Sequence, residues 1–389
     1  MKACGIVVEY NPLHNGHVYH INKSKEITGC DVLIAVMSGN WTQRGEPALV
    51  SKEIRTKAAL KNGVDLVVEL PFLVGVNGAN FFASGAVEIL NYLKVSDIVF
   101  GSESGTTEEF KKKYFAHGFY YPRESELIAD YMDQGMGYPK ARSLALKTIA
   151  DYYLETPNDI LATAYVDAII KNSYPINYHT IARTAPYHQG DEEYKDSSAS
   201  KIRSLLQNSK SIEGLTPMEE EIKSSTLHFL NDYFPLLRYK LLSSSKEELQ
   251  KIHLVEEGIE SLFIKNINIA KNMEEFIKLC ISKRYSGARI IRTICHILNN
   301  SDKEFAKSIL NNPLPYVRIL GSNKKGREYL SSMRKELEEV EILNRYKGRN
   351  NPLLEAERKA TSVYLSTINK VSYLEELEKE IKLYPIIVE

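Results

Sequence analysis

Cysteine is scarce in this chain. Cys4, Cys30, Cys280 and Cys295 are the four in 389 residues, and no two form a CxxC pair. That excludes a disulfide framework and a zinc ribbon, and it suits reduced thiols in a cytoplasmic protein. Net charge is lacking too, since 50 Lys and Arg offset 50 Asp and Glu. A nucleic-acid surface, if there is one, must therefore be local. Long apolar runs are missing: Ala3 to Val8 ends at Glu9, too short for a signal-peptide core, and the apolar window 66–76 is broken by Glu69 and Pro71. No membrane-spanning segment is expected. Repeats at solenoid periods are absent as well. What remains is 43% hydrophobic and 26% charged, enough apolar residue to bury a core and rule out general disorder.

The first hundred residues alternate two patterns. Lys2 to Glu9, Asp31 to Met37, Val64 to Leu70 and Val95 to Phe100 are near-continuous apolar runs bounded by turn residues. Such runs suit strands buried on both faces of a parallel sheet. Helix-length segments lie between them, around Gly16 to Thr28, Lys52 to Asn62 and Ala79 to Leu93, with Ser51 and Ser84 near expected helix starts. This spacing predicts a Rossmann-like, doubly wound α/β fold with a parallel sheet. Helices are expected over 122–172, each opening near Pro122, Pro139 or Pro157, then a strand at Ile176 to Ile181 and a helix opening at Ser197 to Ser200. Beyond about residue 210 helical periodicity takes over, as in Leu262 to Leu279 and Lys325 to Leu343. The expected division is a domain at 1–209 and a mainly helical domain at 210–389, split where Asn, Ser, Lys and Gly cluster near Ser209. The second region is electrically uneven: residues 281–330 hold ten Lys or Arg against three Asp or Glu, while 211–260 hold five against ten.

The sharpest motif is Asn11-Pro12-Leu13-His14-Asn15-Gly16-His17, directly after the first strand. The C-terminal end of a strand opening into a helix is where α/β sheets bind ligands. Gly16 admits a phosphate close to the backbone, and the helix start offers free amides and a positive dipole end. His14 and His17, three apart, face one side of the first turn and can donate hydrogen bonds to a triphosphate. A His-x-x-His metal site lacks an obvious third ligand, so no metal ligand is assigned.

HxGH after a first strand resembles the nucleotidyltransferase superfamily, whose members attack the α-phosphate of a nucleoside triphosphate and release pyrophosphate. Ser198 to Arg203 resembles that superfamily's Ser/Thr-x-x-Arg helix start, with Ser200 as hydroxyl and helix cap and Arg203 as a fixed charge one turn on. Further stretches are similar to the bacterial tRNA(Met) cytidine acetate ligase family. They are Gly5 to His17, Met37 to Ala48, Phe100 to Glu103, Gly137 to Pro139 with Arg142, Pro157 to Leu161 and Thr180 to Arg183. Lys283 to Tyr285, Ala288 to Ile290, Arg318 to Gly321 and Lys325 to Arg327 extend the likeness over nearly the whole chain. Three positions depart from it: Ala162 for Gly, Ala185 to His188 for a Gly-richer turn, and Trp41 for Phe.

That resemblance implies activation of acetate by ATP to acetyl-adenylate, then transfer of the acetyl group to the wobble cytidine of elongator tRNA(Met). It implies His14, His17, Ser200 and Arg203 as catalytic. It implies an ATP pocket of Val7, Val8, Glu9, Tyr10, Asn11, Pro12, Asn15, Gly16, His20, Gly101, Asn158 and Arg183. Mg2+ is compatible with a triphosphate reaction, but no residue pattern assigns it. In the usual strand order the fourth strand lies beside the first, which brings Gly101 to the same crevice. Arg44, on the loop after the second strand, suits a phosphate, the acetate carboxylate or plain solvent. Lys283, Arg284, Arg289, Arg292, Arg318 and Arg327, with Tyr285 and Tyr316, form a segment of the kind RNA binds. No protein partner is indicated. Two other readings stand beside this one: a small-molecule nucleotidyltransferase, against which the basic segment counts, and an RNA-binding or assembly factor with a relic nucleotide site.

Overall fold

The structure, a computed structural model, describes residues 1–118, 121–150, 156–182, 198–337, 340–345, 351–368, 370–382 and 385–389. One eight-stranded sheet organises it. Its strands are β1 (Ala3–Val8), β2 (Val32–Ser38), β3 (Leu66–Leu70), β4 (Asp97–Ser102), β5 (Asn177–Ala182), β6 (Tyr316–Ser322), β7 (Glu341–Leu343) and β8 (Ile386–Ile387). They lie in the order β5-β4-β1-β2-β3-β6-β7, with β8 pairing β6. The first five are mutually parallel, and β4 flanks β1 as expected.

The apolar runs fold this way because both faces of the sheet are covered. Along β2, Val32, Ile34 and Val36 enter one core, packed by the helices Ala79–Tyr92 and Pro157–Lys171. Leu33, Ala35 and Met37 enter the other, with Ile21 of the helix Asn15–Thr28, Ala58 of the helix Lys52–Lys61 and Ile202 of the helix Ala199–Gln207. A strand with two buried faces reads as continuous hydrophobicity. All four cysteines are free thiols. No helix among the described residues is long and apolar enough to cross a membrane.

Differences from the sequence reading have local causes. Ser51 caps its helix by accepting from Ile54 N–H, but Ser84 lies mid-helix, where Gly78 is the cap. The stretch Leu262 to Leu279 is two helices, Ile259–Ile267 and Met273–Cys280, the second capped by Asn272. After residue 210 the chain is mainly helical, yet it returns three strands to the sheet. β6 runs antiparallel along β3, and β7 forms within the stretch expected to be helical. Tyr316 to Ser322 is buried throughout, so it carries no polar–apolar alternation to mark it as a strand.

Candidate active site

β1 ends at Val8, and the next residues turn away at the C-terminal edge of the sheet. Tyr10 takes φ of 49°, a left-handed conformation that a bulky side chain rarely adopts, with its ring fully buried. Its hydroxyl has no partner among the described residues, and its ring stands edge-on to His17 at 5.1 Å. Strain and an unmatched buried polar atom together are typical of functional sites. His14 then caps the helix Asn15–Thr28: its Nδ1 accepts from Gly16 N–H at 3.1 Å, while its own N–H donates to His17 Nδ1 at 3.2 Å. With both Nδ1 atoms accepting, each neutral ring carries its proton on Nε2. The two rings lie 3.8 Å apart, centroid to centroid. Two N–H donors of fixed tautomer thus sit side by side at a helix N-terminus. A Cβ on Gly16 would lie 2.9 Å from His14 Cε1, so the glycine makes room for the imidazole as well as for a ligand.

The helix Ala199–Gln207 closes this loop from outside. Arg203 donates to Asn11 O at 2.8 Å and pairs with Glu46 at 2.9 Å. Asn11 Oδ1 accepts from Leu49 N–H, and Asn15 Nδ2 donates to Gly214 O. The helix cap is Ser198, which accepts from Lys201 N–H; Ser200 is exposed in the first turn and caps nothing, a correction to the sequence reading. Glu9 accepts from Gln43 N–H at 2.6 Å, and burial raises its pKa. Val8 and Pro12 are buried, while Val7 and His20 are half-buried beside the loop.

Across the crevice, Gly101 pairs with Ile181 near the end of β4. Asn158, in the first turn of the helix Pro157–Lys171, donates to Glu103. Its neighbour Asp159 accepts from Ser102 Oγ, Ser104 Oγ and the Glu103 and Ser104 amides, locking that helix to the strand end. Arg183 lies outside the described residues, as does the Ala185 to His188 turn. Among the described residues, no group of three or more His, Cys, Asp or Glu could hold a metal ion.

The sequence matches the HIGH Nucleotidyl Transferase family over residues 1–380. The chain belongs to that family. It is closely related to tRNA(Met) cytidine acetate ligases. It is 39% identical to the one from Caldicellulosiruptor saccharolyticus, with 100% of this chain and 99% of that protein aligned. Identity to the Bacillus subtilis one is 39%, over 94% of this chain and 92% of that protein. Two crystal structures of Thermotoga maritima TmcAL superpose over the full length of both chains. The apo form gives a TM-score of 0.88 at 31% identity, and the form bound with alpha-thio ATP gives 0.87 at 30%.

Sequence reasoning missed several residues that build this HIGH nucleotidyltransferase site. Arg55 is fully buried and donates to the carbonyls of Glu9, Ser38, Gly39 and Val50, joining the ends of β1 and β2. Burial lowers its pKa to about 10. Nothing in the helical stretch Lys52 to Lys61 distinguishes it from a solvated arginine. Much of the loop after β2 is likewise core: Asn40, Trp41, Thr42 and Ala48 are buried, while Arg44 is exposed. Trp41 Nε1 donates to Ala360 O, Asn40 Nδ2 to Thr361 Oγ1, and Tyr364 OH to Ala48 O. The helix Pro352–Leu365 thereby holds that loop against the strand ends.

The basic segment needs correction. Arg318 is 2% exposed and paired with Glu69 and Glu380, and Tyr316 is equally buried, so neither can meet RNA. Tyr285 is buried with its hydroxyl on Glu257 O. Lys283, Arg284 and Arg327 are exposed.

Proposed function

We propose that this nucleotidyltransferase is an ATP-dependent acetate ligase that acetylates the wobble cytidine of elongator tRNA(Met) to N4-acetylcytidine. The observation that carries the reading is the His14–His17 pair. Its two Nε2–H donors, tautomers fixed by backbone contacts, suit oxygens that gain charge at a breaking phosphoanhydride. In the first half-reaction an acetate oxygen attacks the α-phosphorus of ATP and pyrophosphate leaves. His14 and His17 stabilise the bridging and non-bridging oxygens, while Ser200 and Arg203 hold the departing phosphates. Val7 to Pro12, Asn15, Gly16, His20, Gly101 and Asn158 hold the nucleotide, with Arg183 as a further contact that the family resemblance implies. In the second half-reaction the cytidine amine attacks the acetyl carbonyl and AMP leaves; positioning carries much of this step.

Full-length similarity to tRNA(Met) cytidine acetate ligases, one of them crystallised with an ATP analogue, supports the reading. Magnesium binds chiefly to phosphates and water, so an Mg2+ here would arrive on the nucleotide and neutralise its phosphates. A tRNA substrate places the enzyme in the cytoplasm. The test is incubation with ATP, labelled acetate and bulk tRNA, followed by nucleoside analysis. Label in N4-acetylcytidine is expected. Unlabelled tRNA from active, ATP-binding protein rejects the reading.

A further inference from the structure

We propose that Arg44, Arg289 and Arg292 form a binding site for an RNA phosphodiester, built across the seam between the nucleotide-binding loop and the helix Gly287–Asn299. The inference rests on the reading of an enzyme that acts on tRNA and assigns part of its substrate contact. Gly45, at φ of 83°, presses its backbone onto that helix: a Cβ there would lie 2.8 Å from both Arg292 Cα and Ile291 O. Arg44, the preceding residue, is therefore brought to the same seam, exposed.

The three guanidinium groups are under-compensated. Arg44 and Arg292 make no side-chain hydrogen bond or ion pair with any described residue, although Arg292 is half-buried. The carboxylates at hand are engaged. Glu46 pairs with Arg203 at 2.9 Å, and Glu257 stands 3.7 Å from Arg289. Arg289 also lies over the Tyr285 ring at 5.6 Å, and its Nε is buried without a partner among the described residues. Burial lowers the Arg292 pKa to about 10, with Arg289 and Arg44 adding to the effect. In a chain with as many carboxylates as cations, three arginines that share one carboxylate, Glu257 on Arg289, form a receptor for an external anion.

Position favours RNA as the source of that anion. Arg44 lies between Gln43, whose N–H meets Glu9 at the end of β1, and Glu46, which pairs with Arg203. A phosphate at the seam would thus neighbour the nucleotide pocket while contacting the start of the basic segment 281–330. An incoming strand held there presents its base towards the activated acyl group. The nucleotide's own triphosphate is the other source of the same chemistry.

The experiment uses Arg44→Gln, Arg292→Gln and the double variant of the full chain. Affinity for an unmodified elongator tRNA(Met) transcript is measured by filter binding across a salt series, and acetate-dependent ATP–pyrophosphate exchange is measured in parallel. Each variant should weaken tRNA binding roughly 10-fold, as expected for loss of a charge-assisted contact. The log–log salt slope should become shallower by about 0.7 to 0.9 per residue removed. The KM for ATP should stay within about two-fold, and the melting temperature of Arg292→Gln should be equal or higher, because repulsion is relieved. Arg44 is exposed, so its variant remains informative if Arg292→Gln folds poorly. Unchanged tRNA affinity and slope overturn the proposal. A raised KM for ATP at unchanged tRNA affinity also overturns it and assigns the cluster to the triphosphate. If the unaltered protein shows no exchange, the acetate reading fails, while direct tRNA binding still decides this site.

Discussion

Glu357→Gln should abolish a large pH dependence of stability. Glu357 is buried within a charge cluster that joins the sheet to the C-terminal helices, and it accepts a hydrogen bond from Phe72 N–H. Beside it, Lys52 lies 2.6 Å from both Glu69 and Glu380, and Arg318 lies 2.7 and 3.0 Å from the same two. Two cations thus balance two carboxylates, and Glu357 is the surplus acid. Burial first, then repulsion from Glu69, pushes its pKa up from 4.5 to about 8. In the unfolded chain it ionises near its ordinary value, so stability present below about pH 4.5 is lost as pH rises towards about 8. At about 1.4 kcal/mol per pH unit the ceiling of that loss is roughly 5 kcal/mol.

Glutamine has the shape of the protonated acid and keeps an oxygen for Phe72 N–H. The variant should therefore match the parent near pH 5 and exceed it by about 2 to 5 kcal/mol near pH 8. Glu380 acts in the opposite direction. Burial alone would raise it, but Lys52 and Arg318 outweigh burial and hold its pKa at about 2. Its contribution is present above about 4.5 and lost as pH falls towards 2, in parent and variant alike. Urea unfolding at pH 5, 6.5 and 8 measures the difference as a shift in midpoint at constant m. Parallel stability curves for the two proteins would refute a neutral Glu357.

His17→Ala should cut acetyl-adenylate formation roughly 100-fold or more, the scale of losing one preorganised donor, read by acetate-dependent ATP–pyrophosphate exchange. Gly16→Ala places a methyl 2.9 Å from the His14 ring. It should cost about 1 kcal/mol of stability, as for a lost helix cap, and a larger fraction of the exchange rate; a normal rate means that the His14 position is not critical. Arg203→Lys should slow exchange roughly 10-fold despite the retained charge, because an ammonium cannot span Asn11 O and Glu46 as the guanidinium does. Unchanged kinetics would make Arg203 a packing residue.

What the sequence determined by itself is local. β1 to β4 are legible because a strand covered on both faces needs nearly every side chain apolar, and the histidine pair is legible because a strand end opening into a helix has its own residue pattern. The order that sets β4 beside β1 follows from general chain topology. Tertiary structure decided the rest. Arg55 and Arg318 are written like surface arginines, and their burial depends on carbonyls or carboxylates distant in the chain; Arg318 meets Glu69 across 249 residues. The return of β6 to the edge of β3, the burial of Trp41 under Ala360, and the close approach of Gly45 to Arg292 have the same origin. Each is a pairing between segments distant in the chain, and neither segment's own pattern names its partner, so folding alone selects it.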